Sequence, residues 1–274
     1  MWRLCRVLQV SRSGYYQWRV RPASPRCLAN KQLDAQVKQV HSESQGTYGR
    51  PRITHFLRTQ HQLRVGHERV RQSLLRQGLQ PVYKKAYVPT TDSNHSFPIA
   101  PNVLNRRFTT WRVDAAWLGD ITYLPTEEGW LYLAAILDLG SRRIVGWSMG
   151  DRITSDLTCQ ALNMAYWHHQ PKPGLIMHTD RGVQYASAQY QRLLRHYGMT
   201  PSMSRRGNAW DNAPMESFFK SLKVERTHRL KYTSQSQAKL DIMDWIEGFY
   251  NRKRLHSAIG YQTPMGKVYV SESA

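Results

Sequence analysis

Three apolar segments in the middle of the chain constrain the fold more than any other feature. They are DITYL, LYLAAILDL and RRIVGWSM, and the turn signals Glu128-Gly129 and Gly140-Ser141 separate them. Short segments rich in β-branched, aromatic and leucine residues, joined by tight turns, predict three consecutive antiparallel strands. A helical pattern, a fourth apolar segment (LIMHTD) and further helical patterns follow. This order predicts an α/β fold.

Helical periodicity marks the other elements of this half of the chain. The segment TSDLTCQALNMAYWHH predicts an amphipathic helix. A helix over residues 188–197, a short strand near residues 199–200 and a helix that carries Glu216 follow it. A last helix is expected over residues 236–250. Its buried face is predicted to consist of Leu240, Met243, Ile246 and Phe249.

Two acidic residues stand out in this basic chain. Asp180 follows the apolar run GLIM, so its carboxylate is expected at the C-terminal end of a strand, a common place for a site in an α/β sheet. Glu216 follows Pro214, which a helix tolerates in its first turn, and Asp211 or Asn212 is expected to cap that helix. Between Asp180 and Glu216 lie 35 residues. Each acid is therefore expected at the end of an element.

A third acid, Asp120, lies inside the strand segment DITYL, where an unpaired carboxylate would be costly to bury. An ion pair with an arginine would offset that cost, and so would a bound metal ion. With Asp180 and Glu216 it supplies three oxygen ligands of the kind that Mg²⁺ prefers. Two such ions about 3.5–4 Å apart promote in-line phosphoryl displacement. His178 is expected to be a packed side chain rather than a base. Turn or strand-entry roles are expected for Asp114, Asp138 and Asp151.

Basic residues near these acids predict contacts with DNA. Glu216, Lys220 and Lys223 fall at positions i, i+4 and i+7, so they share one helix face. Arg205 and Arg206 belong to the loop before that helix, where phosphate contacts are expected. A solvated helix face is the alternative interpretation for Lys223.

The composition indicates an anionic partner. The chain has 39 Lys and Arg against 19 Asp and Glu, a net charge of +20, which is typical of nucleic-acid-binding proteins. A basic protein that binds an anionic membrane or RNA is the alternative. Three cysteines are too few and too far apart for a zinc site or a disulfide framework, so a reducing cytoplasm is expected. No apolar run reaches the length of a membrane span, and Arg3 and Arg6 interrupt the N-terminus too early for a signal peptide.

The N-terminal third shows helical patterns of its own. The segments LDAQVKQVH, TYGRPRITHFLRTQ and VGHERVRQSLLRQGL, with Pro51 near a helix start and Gly78 at a helix end, predict three short helices. This arrangement indicates a helix-turn-helix-like DNA-binding unit, with Arg69 and Arg71 on faces away from the apolar stripe. An ordinary helical bundle with solvated arginines is the alternative. The apolar stripe of the third helix is predicted to contain Val70, Leu74 and Leu75.

Changes in composition predict five segments along the chain. The first is a basic lead-in, expected to hold a short helix and an extended strap. Prolines without periodicity mark a basic linker. The predicted segments are the lead-in over 1–28, the helix-turn-helix-like segment over 29–80, the linker over 81–106, the α/β core over 107–267 and a tail over 268–274.

Long motifs in the chain resemble one protein family. They are WLGDITYLPTEEGWLYLAAILDLGSRRIVGW, HTDRGVQY, SRRGNAWDNAPMESFFKSLKVE and FYNRKRLHSAIGYQTP, preceded by YGRPRI in the N-terminal third. Over nearly the whole chain they resemble the second-frame product (OrfB) of bacterial transposases of the D,D-35-E class, in the insertion sequence three family. The resemblance implies a ribonuclease-H-like integrase catalytic core, a mixed five-stranded sheet with flanking helices, after a small all-α helix-turn-helix-like domain.

The resemblance also implies roles for individual residues. Asp120, Asp180 and Glu216 match the family's acidic triad, which binds two Mg²⁺ or Mn²⁺ ions. Lys223 matches a basic residue that contacts the element's end. Arg254, in the basic and aromatic tail motif, is expected either to bind DNA or to dock that tail.

The implied reaction is cleavage at the ends of the element, followed by attack of the freed 3′-OH on another phosphodiester. The implied partners are double-stranded DNA, as element ends and target, a second copy of the chain in a synaptic complex, and the first-frame product (OrfA), separate or fused by frameshifting. No membrane partner is expected, and the implied location is the bacterial cytoplasm, with the nucleoid. A nuclease of the same fold that does not join strands and a non-catalytic DNA-binding regulator of transposition are the alternatives.

Overall fold

The computed structural model describes four stretches of the chain, residues 2–82, 98–109, 112–206 and 208–272. The chain divides into two units, Met1–Pro81 and Val82–Ala274. Each unit is described by itself below. Among the helices of the described stretches, none has the length and apolar content that crossing a membrane requires.

The N-terminal unit is entirely helical in its regular structure. Serine caps start two of its helices, because the hydroxyls of Ser11 and Ser24 accept hydrogen bonds from the backbone N–H groups of Gly14 and Cys27. The predicted lead-in therefore holds more helix than expected, and its extended part is confined to the few residues before Ser24. The helices are α1 (Trp2–Val7), α2 (Arg12–Val20), α3 (Pro25–Glu43), α4 (Arg50–Thr59) and α5 (His67–Arg76).

Helices α3, α4 and α5 pack around one small apolar core. Val37, Ile53 and Val70 are fully buried there, one from each helix. Leu74 is buried as predicted, whereas Leu75 is exposed. The prediction fails at Leu75 because, at about 100° per residue, it lies about 140° round the helix from Val70. The three helices confirm the predicted all-α unit.

A five-stranded mixed sheet forms the centre of the second unit. Its strands are β1 (Ala116–Thr126), β2 (Gly129–Asp138), β3 (Ile144–Gly150), β4 (Ile176–Thr179) and β5 (Thr200–Met203). The first three are consecutive and antiparallel, as the sequence predicts. β4 pairs in parallel with β1, and β5 pairs in parallel with β4. The order across the sheet is β3-β2-β1-β4-β5, which confirms the predicted α/β class.

Helices cover both faces of this sheet and create two apolar cores. The α-helices of the second unit are α6 (Ser155–His169), α7 (Val183–Ala186), α8 (Ala188–His196), α9 (Ala213–Glu225), α10 (Gln235–Asp244) and α11 (Pro264–Glu272). The core that contains Leu118 of β1 includes residues of α9 and α10. The core that contains Trp117, the neighbour of Leu118, includes residues of α6, α7 and α8. Successive strand residues point to opposite faces, so each face receives its own set of helices.

The helix predicted over residues 236–250 changes its winding partway. It is α-helical to Asp244 and continues as a π-helical turn over Trp245–Tyr250. Ile246 and Phe249 are buried as predicted, but Leu240 and Met243 are exposed. The buried face of α10 consists instead of Ala238 and Ile242. The predicted face is wrong in the first half because, at about 100° per residue, Leu240 and Met243 lie about 160° and about 100° round the helix from Ile242.

Part of the predicted linker belongs to the second unit. Residues 83–97 of that linker lie outside the described residues. From Pro98 onward the chain is irregular but packs on the core, where Leu104 is fully buried. The backbone N–H groups of Val103 and Leu104 both donate to the hydroxyl of Ser202 in β5. The last part of the linker is therefore attached to the sheet.

Gly146 of β3 permits the close packing of α6, which gives a first prediction. A Cβ at this position would lie 2.4 Å from the backbone oxygen of Ala161 and 2.7 Å from the backbone nitrogen of Ala165. Backbone atoms of a packed helix cannot yield as a flexible side chain can. Gly146→Ala is therefore expected to lower the free energy of unfolding by about 1–3 kcal/mol, measured by chemical denaturation.

Gly150, at the end of the same strand, is the matched control for Gly146. A Cβ there would meet Leu157 Cδ1 at 3.4 Å, which is ordinary contact with a mobile methyl group. Gly150→Ala is expected to change the free energy of unfolding much less than Gly146→Ala. Equal losses in the two variants would contradict the close-packing argument.

Candidate active site

The strand register brings two of the predicted acids together. β1 and β4 pair in parallel, and their last paired residues are Gly119 and Thr179. Asp120 directly follows Gly119, and Asp180 directly follows Thr179. The two acids therefore lie side by side where β4 ends. Both acids are partly buried. The pair is thus created by the sheet, since 59 other residues separate the two acids in sequence.

Gly119 allows this close approach of β1 to its surroundings. A Cβ on Gly119 would lie 2.7 Å from Met177 Cε and 3.4 Å from Thr179 Cγ2, and also near the ring of Tyr185. The aspartates also accept local hydrogen bonds. One Asp120 oxygen accepts from the N–H of the next residue, and Asp180 Oδ1 accepts from the N–H two residues on. The backbone therefore orients both carboxylates.

Glu216 joins this site from helix α9. It lies in the first turn of that helix and is partly buried. Burial raises the pKa of Asp120 well above its usual range, the negative charge of Asp180 raises it further, and Glu216 adds a smaller effect. Burial also raises the pKa of Glu216. The three acids thus form one electrostatic cluster, in which the ionised forms of Asp120 and Glu216 are disfavoured.

The donor chemistry of this cluster suits a hard divalent cation. All of its ligands are carboxylate oxygens, the kind that Mg²⁺ binds alongside water and phosphate oxygens. Nearby, the side-chain oxygen of Asn212 is buried without a hydrogen-bond donor among the described residues. Among those residues no three His, Cys, Asp or Glu side chains, the acids of this cluster included, are grouped closely enough to hold a metal ion.

Helix α9 places two lysines on the same face as Glu216. Lys220 and Lys223 follow Glu216 by four and seven residues, and both are partly buried. The ammonium of Lys223 lies 4.8 Å from the ring centroid of Tyr123 in β1, a cation–π contact. Burial lowers the pKa of Lys223, and the charge of Asp120 opposes that shift. A cation is thereby held next to the acidic cluster.

Asp211 is the centre of a charged network rather than a helix cap. It is completely buried and accepts hydrogen bonds from the backbone and guanidinium of Arg205, from Arg106 and from Asn102. The Arg205 guanidinium holds the pKa of Asp211 far below its usual range. Asn212 occupies the cap position of α9 without a side-chain capping bond. Its amide instead donates to the carbonyl of Gly119 at 3.3 Å.

The structure places the remaining basic residues in different settings. Arg206 is exposed, and Arg205 is exposed but paired with Asp211. On α5, Arg71 pairs with Glu68, and Arg69 donates to an asparagine of α3. These side chains lie at the protein surface, so the DNA contacts predicted for them stay predictions.

Arg254 is the exception, because the structure buries it. Its side chain is 3% exposed and makes two hydrogen bonds, of 2.8 and 2.6 Å, to the carboxylate of Glu225, whose side chain is 5% exposed. A third bond reaches the hydroxyl of Ser221. Arg254 thus attaches the tail motif to α9, which is one of the two roles that the sequence predicts for it. Its contact with DNA stays a prediction.

His178 and two aspartates outside the acidic cluster have structural roles. His178 is fully buried with its ring nitrogens 2.8 and 3.2 Å from the hydroxyls of Ser202 and Ser204, and burial lowers its pKa to about 4. Asp138 accepts from the N–H of Asp114 and from Ser141 at the end of β2. These contacts agree with the packed and turn roles that the sequence predicts.

Several residues at the site were missed by the sequence interpretation. Arg106 and Asn102 were assigned to a linker, yet both bind Asp211. Tyr123 and Tyr185 pack beside the acidic cluster, and Tyr185 is buried near both aspartates. The only available signal was that Tyr123 and Tyr185 lie inside the motifs DITYL and HTDRGVQY. Nothing in the sequence indicates that Arg106 reaches Asp211.

Family models match both units of the chain. A model described as Integrase core domain matches residues 112–209, and a second model of the same description matches residues 197–264. A model described as HTH-like domain matches residues 28–87. The sheet, the acidic cluster and these matches define the protein as a DDE-type transposase or integrase.

Individual relatives define the family more narrowly. The Transposase InsF for insertion sequence IS3A of Escherichia coli (strain K12) is 42% identical over 264 residues, which cover 95% of this chain and 91% of the relative. The Insertion element IS600 uncharacterized 31 kDa protein of Shigella sonnei is 40% identical over 261 residues, with 95% and 96% covered. The chain belongs to the IS3 family of insertion-sequence transposases.

Solved structures are more distant. The simian T-cell lymphotropic virus intasome, in complex with PP2A regulatory subunit B56 gamma, shares 15% identity and a TM-score of 0.48, covering 87% of this chain and 75% of that chain. The HTLV-2 integrase catalytic core domain, in complex with magnesium, shares 18% identity and a TM-score of 0.43, covering 56% and 95%.

Proposed function

We propose that this transposase cleaves DNA at the ends of its element and transfers the freed strand, with Asp120, Asp180 and Glu216 as the catalytic triad. One observation carries the proposal. The two aspartates follow the last paired residues of neighbouring parallel strands. Burial, and after it the negative charge of Asp180, raises the pKa of Asp120. Carboxylates crowded in this way, with perturbed pKa values, are typical of functional sites.

We infer that Mg²⁺ or Mn²⁺, as two ions, is the cofactor held by these carboxylates. Such ions, when bound, neutralise charge that develops on the phosphate and lower the pKa of an attacking hydroxyl group. The buried oxygen of Asn212, next to the strand residue before Asp120, supports an oxygen-rich site. Lys220 and Lys223 on the same helix face would hold the DNA phosphates against the triad.

The proposed reaction consists of two in-line displacements at phosphorus. In the first, water attacks the phosphodiester at the element's end, the P–O3′ bond breaks, and a 3′-OH is freed. In the second, that 3′ oxygen attacks another phosphodiester and displaces a 3′ oxygen from it. The number of P–O bonds is the same before and after each step, so no oxidant or energy donor is needed.

The surface arginines suggest how DNA is held outside the triad. Arg205 and Arg206 adjoin the site, and Arg69 and Arg71 lie on α5 of the helix-turn-helix-like unit. We propose that all four contact phosphates. The logarithm of the binding constant should therefore fall linearly with the logarithm of the salt concentration, with a slope of about 0.9 per phosphate neutralised. A second copy of the chain is proposed as a partner because two DNA ends must meet. The first-frame product is proposed as a further partner.

Labelled DNA distinguishes this proposal from its two alternatives. The purified chain with Mg²⁺ or Mn²⁺ and duplexes carrying its element's ends is expected to yield joined strands, and EDTA is expected to abolish them. Cleaved strands without joined products would favour a nuclease of this fold. Binding without cleavage, also after addition of the first-frame product, would favour a non-catalytic regulator. Products are resolved on denaturing gels.

A further inference from the structure

Trp210 is an exposed aromatic residue that the fold does not use. It lies in the 3₁₀ turn Ala209–Asn212 just before α9, and its side chain is 74% exposed. The two residues that follow it, Asp211 and Asn212, are both buried. Trp210 therefore presents a large aromatic surface to solvent beside residues that the fold holds in place.

The loop that carries Trp210 is attached to both strands of the acidic site. At its beginning, the N–H of Ser204 donates to the carbonyl of Thr179 at 2.9 Å, and Arg181 Nε donates to the carbonyl of Ser204 at 2.6 Å. At its end, Asn212 donates to the carbonyl of Gly119. These anchors adjoin Asp180 and Asp120 directly, so Trp210 stands on the rim of the site.

Hydrogen bonds tie residues on both sides of Trp210 to neighbouring segments of the chain. Asp211, which follows Trp210, accepts hydrogen bonds from Arg205, Arg106 and Asn102. Asn208 accepts a further bond from Arg106 at 2.8 Å. These bonds hold residues before and after Trp210, which lowers the conformational entropy that is lost when a ligand orders them.

The charge around Trp210 selects a nucleic acid rather than an apolar protein surface. The side chains of Arg106 and Arg205 are 43% and 48% exposed while bound to Asp211, and Arg206 is exposed beside them. An aromatic ring among exposed guanidinium groups is the combination that binds unpaired nucleotides, by base stacking and phosphate contact. A duplex interior offers no free base face, whereas an unpaired or terminal base does.

We propose that Trp210 is a stacking platform for a nucleobase that leaves the duplex at the DNA end held by the acidic site. This inference rests on the proposed function, because it places the DNA end beside Asp120 and Asp180. The stacked base would hold the end open and set the position of the phosphodiester that is cleaved. Trp210 is thus a positioning residue with a direct DNA contact.

Abasic scanning of the DNA end tests the stacking contact. Affinity is measured in EDTA, by fluorescence anisotropy, for an element-end duplex and for a series in which one nucleotide near the end at a time is abasic. Trp210→Ala is expected to weaken binding of the intact end by about 5- to 150-fold. At one position, removal of the base should weaken binding by the wild type about as much as Trp210→Ala weakens binding of the intact end. The same abasic change should alter the affinity of the Trp210→Ala variant little.

Two control variants identify the ring as the cause. Trp210→Phe, which keeps a flat ring, is expected to retain most of the affinity and the dependence on that one base. Trp167→Ala removes an equally exposed indole from α6 and is expected to bind every duplex as the wild type does. Cleavage by Trp210→Ala should also lose its precise position, read from product lengths on sequencing gels.

The outcomes separate this inference from the proposed function. If the loss of affinity from the abasic change and the loss from Trp210→Ala added at every position, the stacking contact would be overturned. Cleavage by the wild type would still support the proposed function. A Trp210→Ala variant that loses only self-association, seen by sedimentation, would assign the ring to a second copy and overturn the inference as well. Absence of cleavage by the wild-type chain, also with the first-frame product, would overturn the proposed function and the inference together.

Discussion

Asp120→Asn is expected to lower the rates of DNA cleavage and strand transfer by on the order of 10³-fold or more. The substitution keeps the shape of the side chain but removes one charged oxygen from the cluster, so the proposed triad would hold the proposed cations less well. DNA binding in the absence of divalent ions is expected to stay within about twofold, because Lys223 and the surface arginines are unchanged. Gel-based cleavage and anisotropy measure the two effects separately.

The stability of the same variant gives an independent measurement. In the protein alone Asp120 is disfavoured as an anion by burial and by Asp180. Removing its charge relieves that repulsion, so the metal-free Asp120→Asn protein should melt at or above the temperature of the wild type. Asp151→Asn, which changes an exposed acid after β3, should alter neither activity nor melting. Full activity of Asp120→Asn would refute the triad.

Arg254→Met is expected to destabilise the catalytic unit by about 3–5 kcal/mol. The change leaves the carboxylate of Glu225 buried without the guanidinium that makes two hydrogen bonds to it. An uncompensated buried charge costs far more than the pair itself contributes. Because Glu225 belongs to α9, loss of this contact would also loosen the helix that carries Glu216. Chemical denaturation followed by tryptophan fluorescence measures the loss.

Two further variants isolate the cause of that loss. Adding Glu225→Leu to Arg254→Met removes the stranded charge and is expected to recover much of the stability. Arg252→Met, two residues before Arg254 and exposed, is expected to change stability by no more than about 0.5 kcal/mol. If the double variant were as unstable as Arg254→Met, packing rather than charge would be responsible.

Local patterns predicted the elements well where a single period applies throughout. The three antiparallel strands and their turns follow directly from apolar segments bounded by Gly-containing signals. The prediction was poorer at Leu75, Leu240 and Met243, which are apolar but exposed. Each of these residues lies about 100° or more round its helix from a buried residue, so strict use of the helical angle would have left it off the buried face.

The chain's own sequence determined which residue types reach the acidic cluster, because a strand end, a first helical turn and the i, i+4, i+7 spacing are local properties. Only the tertiary structure decided which charges pair. Asp211 binds Arg106 across 105 residues, and Arg254 binds Glu225 across 29. Burial makes these ion pairs strong and specific, and burial depends on how distant segments pack. Exposed and buried arginines therefore look alike in sequence but differ completely in the folded protein.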